Sequence, residues 1–209
     1  WRKKMAKPDK SIDPRILDCA KQEFLEKGFE KASLQNICKN AEVTTGALYK
    51  RYKGKEELFC AIVEPTIAAI YEMVEGRAVD DLGQFSDEEL IGSWKMKEEN
   101  IIFYFQFFYQ HKDGFVLLLK QSAGTRHQDF HHELVSRMNA HTIRYYQEGY
   151  QRGLFRRKIS VEEFHVLLSG FWETIYEPFI HDMSWAEIEK HAKLICKYFD
   201  WLGVLDVRE

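Results

Sequence analysis

The chain has 209 residues, 45% hydrophobic and 30% charged, enough for one large or two small globular domains around a buried core. Four widely spaced cysteines (Cys19, Cys38, Cys60, Cys196) form no CxxC pair, which argues against a disulfide framework or zinc knuckle, and no apolar run reaches the roughly 18 residues of a membrane span. The net charge of −3 speaks against nucleic acid until it is divided: residues 1–60 hold 14 basic and 9 acidic residues, net +5, and residues 61–209 hold 16 and 24, net −8. A basic head on an acidic body is the layout of a protein that touches phosphate with one end only, although many small domains carry such a charge by chance.

WRKK ahead of Met5 reads as an added tag or a native basic arm, with the tag reading favoured. No signal peptide is visible, and a reduced, cytoplasmic setting is expected. A first helix opens at Asp13-Pro14, an N-cap followed by proline at the first helical position, where its missing N–H is not needed. Ile16, Leu17, Ala20 and Phe24 form its apolar stripe, and Gly28 is the expected stop.

From Ser33 the pattern becomes two short helices and a turn. Leu34, Ile37, Cys38 and Ala41 fall at i, i+3, i+4 and i+7, one helical face. Thr44 is an N-cap by chemistry, its hydroxyl able to accept a backbone N–H of the next turn. Leu48 and Tyr52 point inward from the second helix, and Lys53-Gly54-Lys55 ends it. Small and polar residues at the front of a short helix, with cations around it, suit a helix that enters a DNA major groove N-terminus first. Gly46 costs about 1 kcal/mol against alanine in a helix, which fits a position where backbone approaches another surface closely. By this geometry Thr45, Gly46, Ala47 and Lys50 are the base-edge residues, with Gln35 on the preceding helix as a further one. Thr44, Tyr49, Lys53 and Lys55 are the phosphate residues. The plainer alternatives are a half-buried packing role for Tyr49 and a merely solvated Lys53.

Thr44-Thr45-Gly46-Ala47-Leu48-Tyr49, followed by Tyr52-Lys53-Gly54-Lys55-Glu56-Glu57-Leu58-Phe59, resembles the DNA-binding domain of the TetR family of transcriptional regulators. The resemblance covers about residues 11–60. It implies an all-α fold, a three-helix head that binds a near-palindromic operator, and a helical body that dimerises and takes a small effector. It also implies backbone contacts by the matching tyrosine and by the lysine that opens the fourth helix. Lys50-Arg51 stand where many relatives carry an aromatic residue or histidine, so the operator is not carried over.

A fourth helix is expected from Lys55 to about Gly76, with Pro65 inside it as a hinge or a fixed bend. Arg77–Phe85 reads as a loop. Ser86-x-x-Glu89, Ser160-x-x-Glu163 and Ser184-x-x-Glu187 are capping boxes that start three body helices. One helix is expected from Glu88 to about His111, its second half apolar on every side and therefore buried all round or facing a cavity. Lys112-Asp113-Gly114 should break it before a short helix over Phe115–Gln121. A long helix should follow from Arg126 to Arg152, stopped by Gly153.

Aromatic density marks the expected effector site. Trp94, Phe103, Tyr104, Phe107, Phe108 and Phe115 belong to it, with Met138, His141, Tyr145, Trp172 and Tyr176. Ligand pockets are mostly apolar with a few convergent polar groups, here the tyrosine hydroxyls, His141 and Gln106. For any single residue core filling is the simpler role; the presence of a cavity is mainly what the resemblance implies. His127 and His131, at i and i+4 with Asp129 and Glu133 nearby, are weighed as a metal pair and set aside as a surface histidine cluster. No metal and no cofactor is expected.

In the last two helices, Val161, Phe164, Leu168, Phe171 and Ile175 repeat at 3-4 spacing, as do Trp185, Ile188, Ala192, Ile195, Phe199 and Leu202. Leu167, Trp172, Phe179, Tyr198 and Trp201 give a second apolar face. A hairpin would bury one face; a four-helix homodimer interface would bury both. Two recognition helices must also reach half-sites about 34–36 Å apart or a multiple of it, which a dimer provides.

The sequence thus predicts an all-α protein, with a helix-turn-helix DNA-binding domain at residues 5–60 and an effector-binding, dimerising body at 61–209. Its partners would be double-stranded DNA, a small apolar effector and a second copy, with no membrane. Alternatives are a DNA-binding dimer without effector, or a ligand carrier or enzyme with a vestigial head. No Ser/His/Asp spacing, phosphate loop or metal triad supports catalysis.

Overall fold

The structure, a computed structural model, describes residues 12–76 and 81–207. The segment ahead of residue 12, and with it WRKK and Met5, lies outside them, as do residues 77–80 of the expected loop. The described residues are helical, and none of their helices is long and apolar enough to cross a membrane. The chain forms two compact units: residues up to Ala68 together with Asp113–Gln128, and Ala69–Lys112 together with Asp129–Glu209.

The first unit is built on α1 (Ile12–Lys31), α2 (Leu34–Asn40), α3 (Thr45–Tyr49) and the first part of α4 (Lys55–Glu75). Gly28 interrupts α1 with φ 76°, a left-handed conformation that only glycine adopts cheaply. Ile16, Ala20 and Phe24 from α1 meet Ile37, Leu48, Leu58 and Phe59, all fully buried. Glu23 is buried beside them, and its carboxylate accepts the Ser33 backbone N–H at 3.0 Å, pinning the start of α2. This unit is larger than the 5–60 segment because the chain returns to it with most of α7 (Lys112–Lys120). Phe115, Leu117 and Leu118 are buried there, and Phe29 donates its N–H to the Gln121 carbonyl at 3.1 Å. Gly114, expected to break a helix, instead lies inside α7. A Cβ there would overlap Thr66, so the glycine is kept for close packing.

The second unit holds a 3-10 turn (Leu82–Gln84), α5 (Asp87–Gly92), α6 (Glu98–Gln110), α8 (Phe130–Gln151), α9 (Val161–Ile180), α10 (Trp185–Tyr198) and α11 (Trp201–Leu205). Ser86 and Ser160 complete reciprocal capping boxes with Glu89 and Glu163. At Ser184 both the backbone N–H and the hydroxyl go to the Glu187 carboxylate. Arg152, the C-cap of α8, donates to the carbonyls of Phe85 at 2.6 Å and Leu82 at 3.0 Å, anchoring the turn that precedes α5. The Tyr146 hydroxyl accepts the Ile159 N–H at 2.7 Å, fixing the chain as it enters α9.

Four expectations about these elements need correction. The single helix from Glu88 to His111 is two, broken at Ser93–Lys97. Gly92 and Ser93 are weak helix formers, and Trp94 turns in to pack against Phe155, Phe164 and Trp201. The run IIFYFQFFY is not buried all round: α6 buries Ile101, Phe105 and Phe108 and exposes Phe103, Tyr109 and Gln106. The helix expected from Arg126 starts only at Phe130, because Ser122–Asp129 is folded into turns, with Gly124 at φ 80° and the Thr125 hydroxyl on the Ser122 carbonyl at 2.7 Å. Finally, α9 packs chiefly on α8 and α10 on α6, so the last two long helices do not form a hairpin on each other.

Candidate nucleic-acid interface and ligand cavity

In the first unit, Ser33 caps α2 and Thr44 caps α3, the Thr44 hydroxyl accepting the Ala47 N–H at 3.2 Å. Leu48, fully buried, fixes α3 from behind, which leaves its front open. Thr44, Thr45, Gly46, Lys50 and Lys53 are exposed, as is Gln35 on α2; Ala47 is half-buried. Tyr49 is 52% exposed, so the half-buried packing role does not describe it. A helix end offering two threonines and a glycine, ringed by a phenol and two ammonium groups, has the shape and chemistry to meet base edges and flanking phosphates.

Two cations of this region serve the fold. Lys55 Nζ donates to the carbonyls of Glu30 at 2.8 Å and Ala32 at 3.2 Å and lies 4.8 Å over the Phe29 ring. Its side chain caps the end of α1, a role that the sequence reading of Lys55 as a phosphate contact missed. Arg51 is ion-paired with Asp13 and donates to the Ala47 carbonyl at 3.1 Å. Tyr52 is half-buried, and that burial, reinforced by Asp13, pushes its phenol pKa up.

The same unit brings Cys60, Glu64 and His127 together, their ligand atoms within 4.8 Å of one another. Arg126 is ion-paired with Glu64, so a metal ion there would sit against a guanidinium, and burial pushes the Cys60 thiol up, away from its ligating form. His127 lies ahead of α8, so the face it was to share with His131 does not exist.

The second unit contains a cavity of about 420 Å³, within the range of small-molecule sites. Of the residues expected to line it, Trp94, Tyr104, Met138, His141, Tyr145 and Trp172 do. Phe103, Phe107, Phe108, Phe115 and Tyr176 do not. Phe103 is exposed, Phe107 stacks near His111 at 5.0 Å, Phe108 and Tyr176 are fully buried against each other, and Phe115 belongs to the first unit. Further lining residues come from α4 (Met73), from the segment where the expected long helix is broken (Lys95, Met96 and Lys97), from the first turn of α6 (Asn100) and from α11 (Trp201). The methionines and Trp201 were visible as apolar residues, but nothing local marks them as cavity residues.

Most of the residues assigned to a dimer seam are instead buried in this unit's own core: Phe164, Leu168, Phe171, Trp172, Ile175, Phe179, Ile188, Ile195 and Trp201. The seam faces α8 and α6 of the same chain. Phe199 and Leu202 are half-buried. Leu167 is 40% and Tyr198 79% exposed, joined by Val166 and Leu194, which periodicity did not single out.

Comparison with known proteins agrees with the geometry of the first unit. Residues 16–62 match "Bacterial regulatory proteins, tetR family". The HTH-type transcriptional regulator UidR of Escherichia coli (strain K12) is 39% identical over 66 residues, 30% of this chain and 34% of that protein. The match therefore spans about a third of the relative's length. Across most of the chain the fold is similar to that of FadR from Bacillus subtilis in complex with stearoyl-CoA (TM-score 0.56, 16% identity, 88% of this chain and 95% of that one). It is equally similar to that of NalD from Pseudomonas aeruginosa, the secondary repressor of the MexAB-OprM multidrug efflux pump (TM-score 0.59, 16% identity, 95% and 98%). Residues 16–62 thus form a helix-turn-helix domain of the TetR family of transcriptional regulators, and the helical fold of the rest is similar to that of solved regulators.

Proposed function

We propose that the protein is a ligand-responsive transcriptional repressor that binds a near-palindromic operator as a homodimer. The observation that carries this reading is the front of α3: Thr44, Thr45 and Gly46 stand exposed on a helix held from behind by buried Leu48, with Tyr49, Lys50 and Lys53 around it. Thr45, Gly46, Ala47 and Lys50, with Gln35, would read bases, and Thr44, Tyr49 and Lys53 would hold phosphates. Lys55 acts by holding α1 against α4. The setting is the cytoplasm, where the DNA is.

The cavity supports an effector. α4 carries Lys55 in its first turn and supplies Met73 and Val74 to the cavity wall from its last, so one helix serves both functions. An effector acts only through differential affinity, binding the DNA-incompetent head spacing better than the competent one. Neighbours of this fold that hold stearoyl-CoA or repress an efflux pump favour such a scheme.

The test is selection of bound duplexes from a random pool, with the salt dependence measured on the winner. A two-fold symmetric motif whose affinity falls steeply with salt is expected. Indifference to duplex DNA at low ionic strength would end the proposal.

A further inference from the structure

Three chemistry-bearing residues of the first unit that DNA binding does not use meet at one point. Cys60 and Glu64 are one turn apart on α4 and therefore share a face. His127 reaches them from the segment that follows α7. The backbone there is fixed by turns: the His127 N–H donates to the Thr125 hydroxyl at 3.1 Å, and the Arg126 N–H to the Glu56 carboxylate at 3.0 Å. A thiol, a carboxylate and an imidazole, their ligand atoms all within 4.8 Å of one another, are the donor types that zinc takes.

The same point already holds a cation. The Arg126 guanidinium is ion-paired with the Glu64 carboxylate, and its Nε donates to His127 Nε2 at 3.4 Å. Burial pushes the Cys60 thiol up, and the nearby Arg126 charge works against that shift. All three donors thus converge on one positive group. His127 Nε2, an acceptor in its bond to Arg126, presents a lone pair to that group, as a metal ligand must. Cys60, Glu64 and Arg126 line a pocket open to solvent, so an ion has a way in.

Arg126 and the buried thiol oppose an ion, and neither closes the site. The side chains of Arg126 and Glu64 are 60% and 52% exposed, and an exposed ion pair is weak, so the guanidinium can swing out into water. The thiol gives its proton to solvent as the metal–sulfur bond forms, because a coordinating thiol is held as thiolate. Around a tetrahedral zinc the donor atoms stand roughly 3.4–3.6 Å apart. The exposed Glu64 and the half-buried His127 can close to that spacing by side-chain rotation. A fourth position is left for water.

We propose that Cys60, Glu64 and His127 form a site for a zinc-class divalent ion, which replaces the Arg126 guanidinium and ties α4 to the segment carrying His127. The site shares no residue with the cavity, and it does not depend on the effector reading.

The test uses the intact, reduced protein, stripped of metal by a chelator and titrated with zinc chloride, or with cobalt chloride as a coloured substitute, in a non-coordinating buffer. One ion per chain should bind. Cobalt should show the near-ultraviolet charge-transfer band of a thiolate ligand, and Cys60→Ser should abolish it. His127→Ala should weaken zinc at least tenfold, whereas His132→Ala, on an exposed histidine of α8, should leave it unchanged. Arg126→Met should tighten zinc severalfold, because the competing cation is gone. Neither Arg126 nor His127 is buried, so these two variants keep the fold even if Cys60→Ser does not. A missing thiolate band in the parent, or a zinc affinity indifferent to either His127→Ala or Arg126→Met, would overturn the proposal and leave the DNA-binding reading untouched.

Discussion

Lys55 Nζ donates to the carbonyl oxygen of Glu30 at 2.8 Å, so the ammonium closes the C-terminal end of α1 and is not held out to solvent. A cation on a helix's last carbonyls satisfies orphan acceptors and meets the negative end of the helix dipole. Lys53, two residues earlier, is exposed, and among the described residues only its backbone N–H is engaged, on the Glu57 carboxylate at 2.6 Å. The two lysines should therefore separate by experiment. Lys55→Ala should cost about 1.5–3 kcal/mol of stability in a urea melt, the range for hydrogen bonds to charged groups. Lys53→Ala should stay within about 0.5 kcal/mol of the parent. In salt titrations of DNA affinity the order reverses, with the slope falling by about 1 for Lys53→Ala and unchanged for Lys55→Ala. Two equal slopes would put Lys55 back among the phosphate contacts.

Gly149 in α8 is buried, and a Cβ built on it would overlap the Phe155 ring. Phe155 is itself wedged between Trp94 at 6.2 Å and Tyr146 at 6.4 Å, so it has no room to retreat. Gly149→Ala should destabilise the protein by about 1–3 kcal/mol although alanine is the better helix former. Adding Phe155→Leu should give a double-mutant cycle with favourable coupling, since the smaller side chain relieves the overlap. Additive losses would show that the glycine is present for another reason.

Glu187 illustrates a pH effect whose sign can be fixed. The Ser184 hydroxyl at 2.6 Å and the Ser184 backbone N–H at 2.8 Å both donate to its carboxylate and hold its pKa below the ordinary glutamate value. A carboxyl whose pKa is depressed by folding stabilises the protein above its unfolded pKa, and that contribution is lost as the pH falls through the folded value. Carbon-detected NMR titration should therefore place Glu187 below unstructured glutamates. Ser184→Ala should move it upward, and the stability difference between parent and variant should disappear in acid. A Glu187 titration unaffected by Ser184→Ala would refute the assignment.

What could be read from sequence here is what depends on neighbours in sequence. Gly28, Thr44 and the three Ser-x-x-Glu boxes sit where helices begin, break or end because caps and turns are made by residues within four positions of one another, whereas Asp13, expected as the N-cap of α1, lies inside its first turn. Burial of Ile37, Cys38 and Leu48 followed from helical period alone. Failures came where the deciding partner is distant. Nothing near Trp94 says that it will leave a helix to pack on Phe155 and Trp201, and so the Trp94–Lys97 edge of the cavity went unseen. The 3-4 repeats of α9 and α10 were correctly apolar, but period cannot say whether a stripe faces its own chain or another. Phe115 was assigned to the body because it follows α6, although its helix returns to the head.

That ambiguity of the stripes sets the last prediction. With the 3-4 seam committed to the core, any dimer must use what α9 and α10 leave outside: Val166 and Leu167 on one, Leu194 and Tyr198 on the other, with Leu194 62% and Tyr198 79% exposed. Large apolar side chains left on a surface are candidates for an interface. Leu194 and Tyr198 are one turn apart and therefore on one side of α10. Leu194→Glu with Tyr198→Glu should give a monomer in sedimentation at micromolar concentration with little change in melting temperature, because neither side chain is part of the core. Operator affinity should fall in parallel, since two heads no longer held together lose the benefit of binding as one unit. Ile188→Glu, fully buried on the same helix, should instead unfold the body. If the Leu194/Tyr198 variant sediments as a dimer, these two residues are not in the interface, and the exposed pair on α9 alone must be tested in their place.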